Sequence, residues 1–198
     1  MTKKAERTTA YIIETVAPIF NRHGYIGTSM SDLTEATGLT KGAIYGNFEN
    51  KEALALSAFE HNRNILLQTI DNKLDIGIEA LDKLFSLLSF YKQYDVFTLP
   101  LGGCPLLNVG VDAQSNNKLL AAAVKETIKE IEGKIALILE NGAKQNEIKL
   151  PVPPLQFAKQ FFTMIQGAVA MSTMTQDRKY LVNTVTYLEY LVKQELKK

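Results

Sequence analysis

Apolar residues recur at three- and four-residue spacing along almost the whole chain, and no stretch alternates apolar and polar positions between hairpin turns. The pattern predicts an all-α protein. A first helix carries Ile13, Val16, Ala17 and Phe20 on one face with Glu14 and Arg22 off it, and Gly24 is placed to end it as a left-handed cap. Pro18 lies inside that helix, removes a backbone donor and crowds the Glu14 carbonyl, so a kink or an early irregular turn is expected there. A long amphipathic helix starts behind Asn50 as N-cap and runs to about Asn72, turning Leu54, Ala58, Ile65 and Leu66 inward. Another restarts at Ile76-Gly77 and passes through Leu81, Leu84, Phe85, Leu88 and Tyr91, before a loop from Asp95 to Cys104 marked by Pro100 and Gly102-Gly103. Pro105 suits the first position of the next helix and Asn116-Asn117 its end; one helix follows from Lys118 to about Asn146. The stiff tract Leu150 to Pro154 leads into two strongly apolar helices, Leu155 to about Thr175 and Arg178 to Leu196.

Between the first helix and the long one, the punctuation is dense. Ser29 and Asp32 form a capping-box variant, with Leu33 and Ala36 facing inward behind it. Gly38 supplies the positive φ that ends this short helix, Leu39 plugs the turn, and Thr40 caps a second short helix, Lys41 to Phe48. Ile44 and Phe48 belong to the core, which leaves Lys41, Tyr45 and Asn47 outside, with Gly42 and Gly46 opening room for close approach. Two short helices about one glycine make a helix-turn-helix, and its outer residue types suit a DNA duplex. A lysine ammonium and a tyrosine hydroxyl reach phosphate oxygens, and an asparagine amide pairs bidentately with adenine. Lys51 adds a charge at the next helix start, whose free amides also favour anions.

Charge narrows this reading. Lys and Arg number 22 against 21 Asp and Glu, a net charge of +1, so any footprint on nucleic acid is local rather than spread over the molecule. The single Cys104 excludes an internal disulfide, and His23 and His61 make no zinc-spaced cluster, so neither metal nor cofactor is expected. Glu14 interrupts the apolar start, no cleavage site follows, and no apolar run approaches the ~20 residues of a membrane span. A cytoplasmic protein is expected.

The segment from Ile12 to Leu54, IIETVAPIFNRHGYIGTSMSDLTEATGLTKGAIYGNFENKEAL, closely resembles the N-terminal domain of TetR-family transcriptional regulators. The Thr-Ser pair, the Gly-Leu-Thr-Lys-Gly turn, Tyr45, Phe48 and Lys51-Glu52 carry the match. The resemblance implies a three-helix DNA-binding domain, residues 1–50, and a helical ligand-binding and dimerisation domain, residues 51–198. It implies a dimer that represses transcription until a small molecule binds. The DNA contacts it carries over are Thr28, Ser29, Thr40, Lys41, Gly42, Tyr45, Gly46, Asn47 and Lys51. The chain departs from the family at position 46, often aromatic and here Gly, and at position 47, often His and here Asn, which leaves the bases read open.

Beyond Lys51 the residues speak for themselves. Leu155, Phe161, Phe162, Ile165 and Val169 in the penultimate helix, with Leu181, Val185, Leu188 and Val192 in the last, make two stripes wider than one antiparallel pair can cover. With the small run Gly167 to Ala170, they point to a four-helix bundle built from two copies, and hence to a homodimer. Twofold symmetry sets two reading helices about 34 Å apart on a pseudo-palindromic, double-stranded operator. Aromatic and Met residues between His61 and Met174 suit either plain core or a cavity for a small apolar or aromatic effector. His61, Phe85, Tyr91, Asn108, Phe161, Met164 and Gln166 are the candidate ligand contacts. Cys104, before Pro105, is placed at a helix N-cap, where a thiolate is stabilised; a redox- or electrophile-sensing repressor is the alternative reading, and an activator another. An enzyme finds no support: there is no nucleophile elbow, phosphate loop or nucleophile-base pair, and Glu130 and Glu132 point apart on their helix.

Overall fold

The computed structural model describes residues 3–197, with side chains from residue 5 onward, and it is all-α. Ten helices follow in order: α1 (Lys3–Gly27), α2 (Met30–Thr37), α3 (Lys41–Tyr45), α4 (Lys51–Leu74), α5 (Ala80–Tyr91), α6 (Tyr94–Thr98), α7 (Pro105–Asn116), α8 (Lys118–Lys144), α9 (Pro154–Thr175) and α10 (Lys179–Glu195). The β pairing among the described residues is one isolated antiparallel bridge, Ile148 with Lys197. None of these helices is long and apolar enough to cross a membrane.

The chain divides into two compact units. Unit 1 holds residues 1–66 and 98–127, and unit 2 holds residues 67–97 and 128–198. In unit 1, α1 packs on α7 and on α2, burying Ile12, Val16, Ala17 and Phe20 with Leu33, Ile44, Leu54 and Phe59. Ile12 rather than Ile13 is the fully buried member of the first turns. The break in α1 falls at Gly24 (φ 74°, ψ 175°), as its positive φ requires, but the chain then resumes a helical turn to Gly27 instead of ending. Pro18, where a kink was expected, keeps helical torsions. Its carbonyl instead receives the loop after α6: a Cβ on Gly102 would stand 2.3 Å from Pro18 O, so only glycine lets this loop approach. Asn21 Nδ2 holds the same loop, donating to the Leu101 and Gly103 carbonyls at 2.7 Å each.

Asn50 caps α4 as expected, and Asn117, expected only as the end of α7, also caps the start of α8. Asn50 Oδ1 accepts from Ala53 N at 2.8 Å ahead of α4, and Asn117 Oδ1 from Leu120 N at 2.9 Å in α8. Two expectations fail locally. The helix expected to restart at Ile76 begins at Ala80, where Asp82 reaches back to the Glu79 amide and Glu147 accepts from Ala80 N; Ile76 and Ile78 stay in solvent. The loop expected from Asp95 begins later, because Tyr94–Thr98 forms the one-turn helix α6, whose Tyr94 and Phe97 rings each meet Phe90 edge-to-face while Tyr91 lies tilted against Tyr94.

The largest correction concerns unit 2. Phe161, Phe162, Ile165 and Val169 of α9 and Leu181, Val185, Leu188 and Val192 of α10 are all buried within one chain, by each other and by α5. These stripes need no second copy to cover them, because α5 lays Leu84, Leu87 and Leu88 into the same core. Leu155 is the one member of the expected stripes that stays exposed, and α9 and α10 also leave Met171, Met174, Tyr180, Tyr187 and Tyr190 in solvent.

Candidate nucleic-acid interface

The helix-turn-helix is built by short-range chemistry. Ser29 Oγ accepts from Asp32 N at 3.2 Å while Asp32 Oδ2 accepts from Ser29 N at 2.7 Å, closing the capping box. The Ser29 amide and hydroxyl both hold the Asp32 carboxyl below its ordinary pKa. Gly38 ends α2 in the left-handed region (φ 66°, ψ 13°), and Thr40 Oγ1 accepts from Ala43 N at 3.2 Å to start α3. Thr37, not Ala36, is the inward residue of α2's last turn; its carbonyl accepts from Tyr11 Oη at 3.0 Å, which ties α2 to α1. The second short helix is one turn shorter than expected: α3 closes at Tyr45, and Gly46 to Phe48 continue as a turn bonded to Gly42 and Ile44 carbonyls.

Ser29, Thr40, Lys41, Gly42, Tyr45 and Gly46 are all exposed. Lys41 Nζ stands 5.8 Å from the Tyr45 ring centre, which sets an ammonium and a phenol side by side. A Cβ on Gly42 would come no nearer than 4.0 Å to any neighbour, so this glycine is not demanded by packing within the protomer, and it leaves the helix surface bare for a close partner.

Three of the expected contact residues are engaged elsewhere. Thr28 is fully buried and its hydroxyl donates to Gly24 O at 2.7 Å, so its side chain has no surface to offer a duplex. The Asn47 amide is taken at both ends: Oδ1 accepts from Thr9 Oγ1 at 2.8 Å and Nδ2 donates to Ala43 O at 2.9 Å. It thereby ties the turn after α3 to α1, with one Nδ2 hydrogen and one Oδ1 lone pair left over. Lys51 Nζ donates to Tyr25 O at 2.6 Å and lies 4.5 Å from the Tyr25 ring centre. Burial lowers its pKa, against the pull of Asp112 and Asp32. Asp112 Oδ2 accepts from Tyr25 N at 2.6 Å, so the Tyr25 residue is held from both its amide and its carbonyl where α1 breaks. Residue type alone carried no sign of this use of Lys51; the broken helix end, marked by Gly24, was the available signal.

The candidate effector contacts do not assemble as a set. Phe161 and Met164 border one apolar groove of unit 2, about 320 Å³, with Phe157, Leu188, Val192 and the connector residue Val152; Glu195 is its one charged wall group. Gln166 is half-buried in α9. Tyr91 is buried among Phe90, Tyr94 and Phe162, and Phe85 lies under the Lys193 ammonium at 5.4 Å. His61 and Asn108 belong to unit 1, where Asn108 Nδ2 donates to Gly102 O at 3.2 Å. Cys104 is the N-cap of α7, its Sγ accepting from Leu107 N at 3.4 Å, and it is buried. No cluster of three or more metal-ligating side chains occurs among the described residues.

Comparison with known proteins adds to this geometry. Residues 12–58 match the model of bacterial regulatory proteins of the tetR family, and residues 80–188 that of the tetracyclin repressor-like C-terminal domain. The chain is similar to a TetR-family transcriptional regulator of Cytophaga hutchinsonii, with 34% identity, a TM-score of 0.92, and coverage of 100% of this chain and 99% of that one. It is 24% identical over 190 residues to the uncharacterized HTH-type transcriptional regulator YxaF of Bacillus subtilis (strain 168), covering 93% of this chain and 94% of the relative. Over 177 residues it is 22% identical to the HTH-type transcriptional repressor DhaR of Mycobacterium sp. (strain GP1), covering 89% and 87%.

Proposed function

Because the chain belongs to the TetR family of bacterial transcriptional regulators, a family of DNA-binding proteins rather than enzymes, we propose that it is a homodimeric repressor released from a pseudo-palindromic operator by a small apolar or aromatic molecule. Residues 1–50 read DNA, and residues 51–198 dimerise and bind the effector. The observation that carries the reading is the exposed Thr40, Lys41, Gly42 and Tyr45 surface on α3, set by two capped helices and a left-handed glycine. Tyr45 Oη and Lys41 Nζ take phosphate oxygens, and the bare Gly42 and Gly46 let the helix enter the major groove closely. Thr28, Asn47 and Lys51 support this surface from behind.

Dimerisation uses the face that the protomer leaves open. On α9 it runs Gln160, Thr163, Gly167, Met171, Met174, exposed and without a charge. On α10 it runs Tyr180, Asn183, Tyr187, Tyr190, with the last two rings stacked at 6.2 Å. A Cβ on Gly167 would meet nothing within 4 Å, so the helix-weakening glycine gains nothing inside the protomer; approach of a second backbone gives it a purpose. The groove beside Phe161 and Met164 supports an apolar effector, its volume being that of a small-molecule site. Effector binding shifts the dimer only by its difference in affinity between the bound and released states. Because α4 and α8 each contribute residues to both units, a shift in either helix travels along continuous backbone. The protein acts in the cytoplasm, where its operator lies.

Selection of duplexes from a random pool by the purified protein at near-physiological salt tests this. A palindrome with half-sites one helical turn apart or slightly more is the expected result, and apolar compounds then compete it off. No enrichment even at low salt overturns the reading.

A further inference from the structure

Two asparagines sit where the helical pattern calls for apolar residues. Asn21 follows Phe20 in the buried stripe of α1, and Asn62 follows Ala55, Ala58 and Phe59 in that of α4; they are 1% and 2% exposed. Each amide has a defined orientation. Both Nδ2 hydrogens of Asn21 go to the Leu101 and Gly103 carbonyls, and Asn62 Nδ2 donates to Ala17 O at 3.3 Å. What each side chain has left is its Oδ1, and neither Oδ1 meets a donor among the described residues. Both asparagines line the same small cavity of unit 1, walled by Ala17, Phe20, Tyr25, Phe59, Val109 and Leu120 from α1, α4, α7 and α8. It offers about 10 Å³ to the centre of a water-sized sphere, the threshold for one molecule.

We infer that this cavity is a specific site for one neutral hydrogen-bond donor, a structural water, that donates to Asn21 Oδ1 and Asn62 Oδ1. The chemistry selects the occupant. A buried carbonyl oxygen without a donor is destabilising, and here two share one cavity, so a molecule with two donor hydrogens relieves both. A cation is disfavoured: no wall residue is charged, and two neutral oxygens do not replace a hydration shell. An apolar ligand leaves both oxygens unmet, and anything larger than water exceeds the space. The bound water completes the seam that seats α1 on α4, and α1 in turn carries the capped reading helices through Tyr11 and Thr9.

The test is a count of long-lived internal waters by oxygen-17 magnetic relaxation dispersion on the full-length protein and on Asn62→Leu, whose side chain has similar volume and no acceptor. Wild type is expected to hold one more long-lived water than the variant; equal counts overturn the site. A diffraction structure of the wild type supplies a measurement that does not depend on the variant folding. One peak within about 3.2 Å of both oxygens is expected. Absence of a peak, or a peak with the short multiple contacts of a metal ion, overturns the assignment.

Discussion

Two lysines that look equivalent as residue types are predicted to fail in opposite ways. Lys41 is exposed on α3, beside the Tyr45 ring, and forms no ion pair among the described residues. Its removal as Lys41→Gln loses only the long contact with the Tyr45 ring inside the protomer, so the melting temperature stays within about 2 °C, the range of a neutral surface change. On DNA the loss is one phosphate contact per protomer. Each contact contributes about 0.9 to the slope of log affinity against log salt, so a dimer loses about 1.8. Lys51 is the reverse case. Its Nζ donates to Tyr25 O at 2.6 Å, and Lys51→Gln removes a charged hydrogen bond of about 1.5–3 kcal/mol at a partly buried carbonyl. For a chain of this length that is a fall of about 3–12 °C in melting temperature. The assay pairs thermal melts with titrations of a selected operator at several salt concentrations. If Lys41→Gln leaves the salt slope unchanged, Lys41 does not face phosphate. If Lys51→Gln melts like wild type, the Tyr25 clamp has no energetic weight.

Other consequences follow from single contacts. The Asp32 carboxyl has its pKa below the ordinary 3.8, so the unfolded chain takes up its proton first; the stability it contributes is complete above about pH 4 and is lost as pH falls through the folded value. Asp32→Asn should therefore flatten the acid limb of stability against pH, and superimposable acid limbs would refute the capping box as its source. Gly102→Ala places a Cβ 2.3 Å from Pro18 O on a backbone with φ +81°, and a loss of about 2–5 kcal/mol in chemical denaturation is expected. Tyr187→Arg sets a charge on the open α10 face while leaving the core intact; sedimentation should show monomers with an unchanged melting midpoint at high dilution, and an intact dimer would place the interface elsewhere.

The helices and their caps were legible in the chain because they depend on neighbours a few residues away. Ser29 with Asp32, Gly38, Thr40, Asn50, Pro105 and Asn117 act through backbone groups within one turn, and each lies where its residue type predicts. The exposed reading surface was legible for the same reason, since the period of a helix decides which of Lys41, Ile44 and Tyr45 face out. Tertiary structure alone decided the use of long or branched polar side chains. Thr28, Asn47 and Lys51 carry the chemistry of DNA contacts, yet each finds a carbonyl or hydroxyl brought near by folding, from a neighbouring turn or from residues 26 or more positions away. Periodicity reports that the stripes of α9 and α10 are buried without reporting by what; α10 packs on α5, distant in sequence, as well as on α9. Local geometry is written residue by residue, whereas the partner of a polar group or an apolar face is a property of the packed chain.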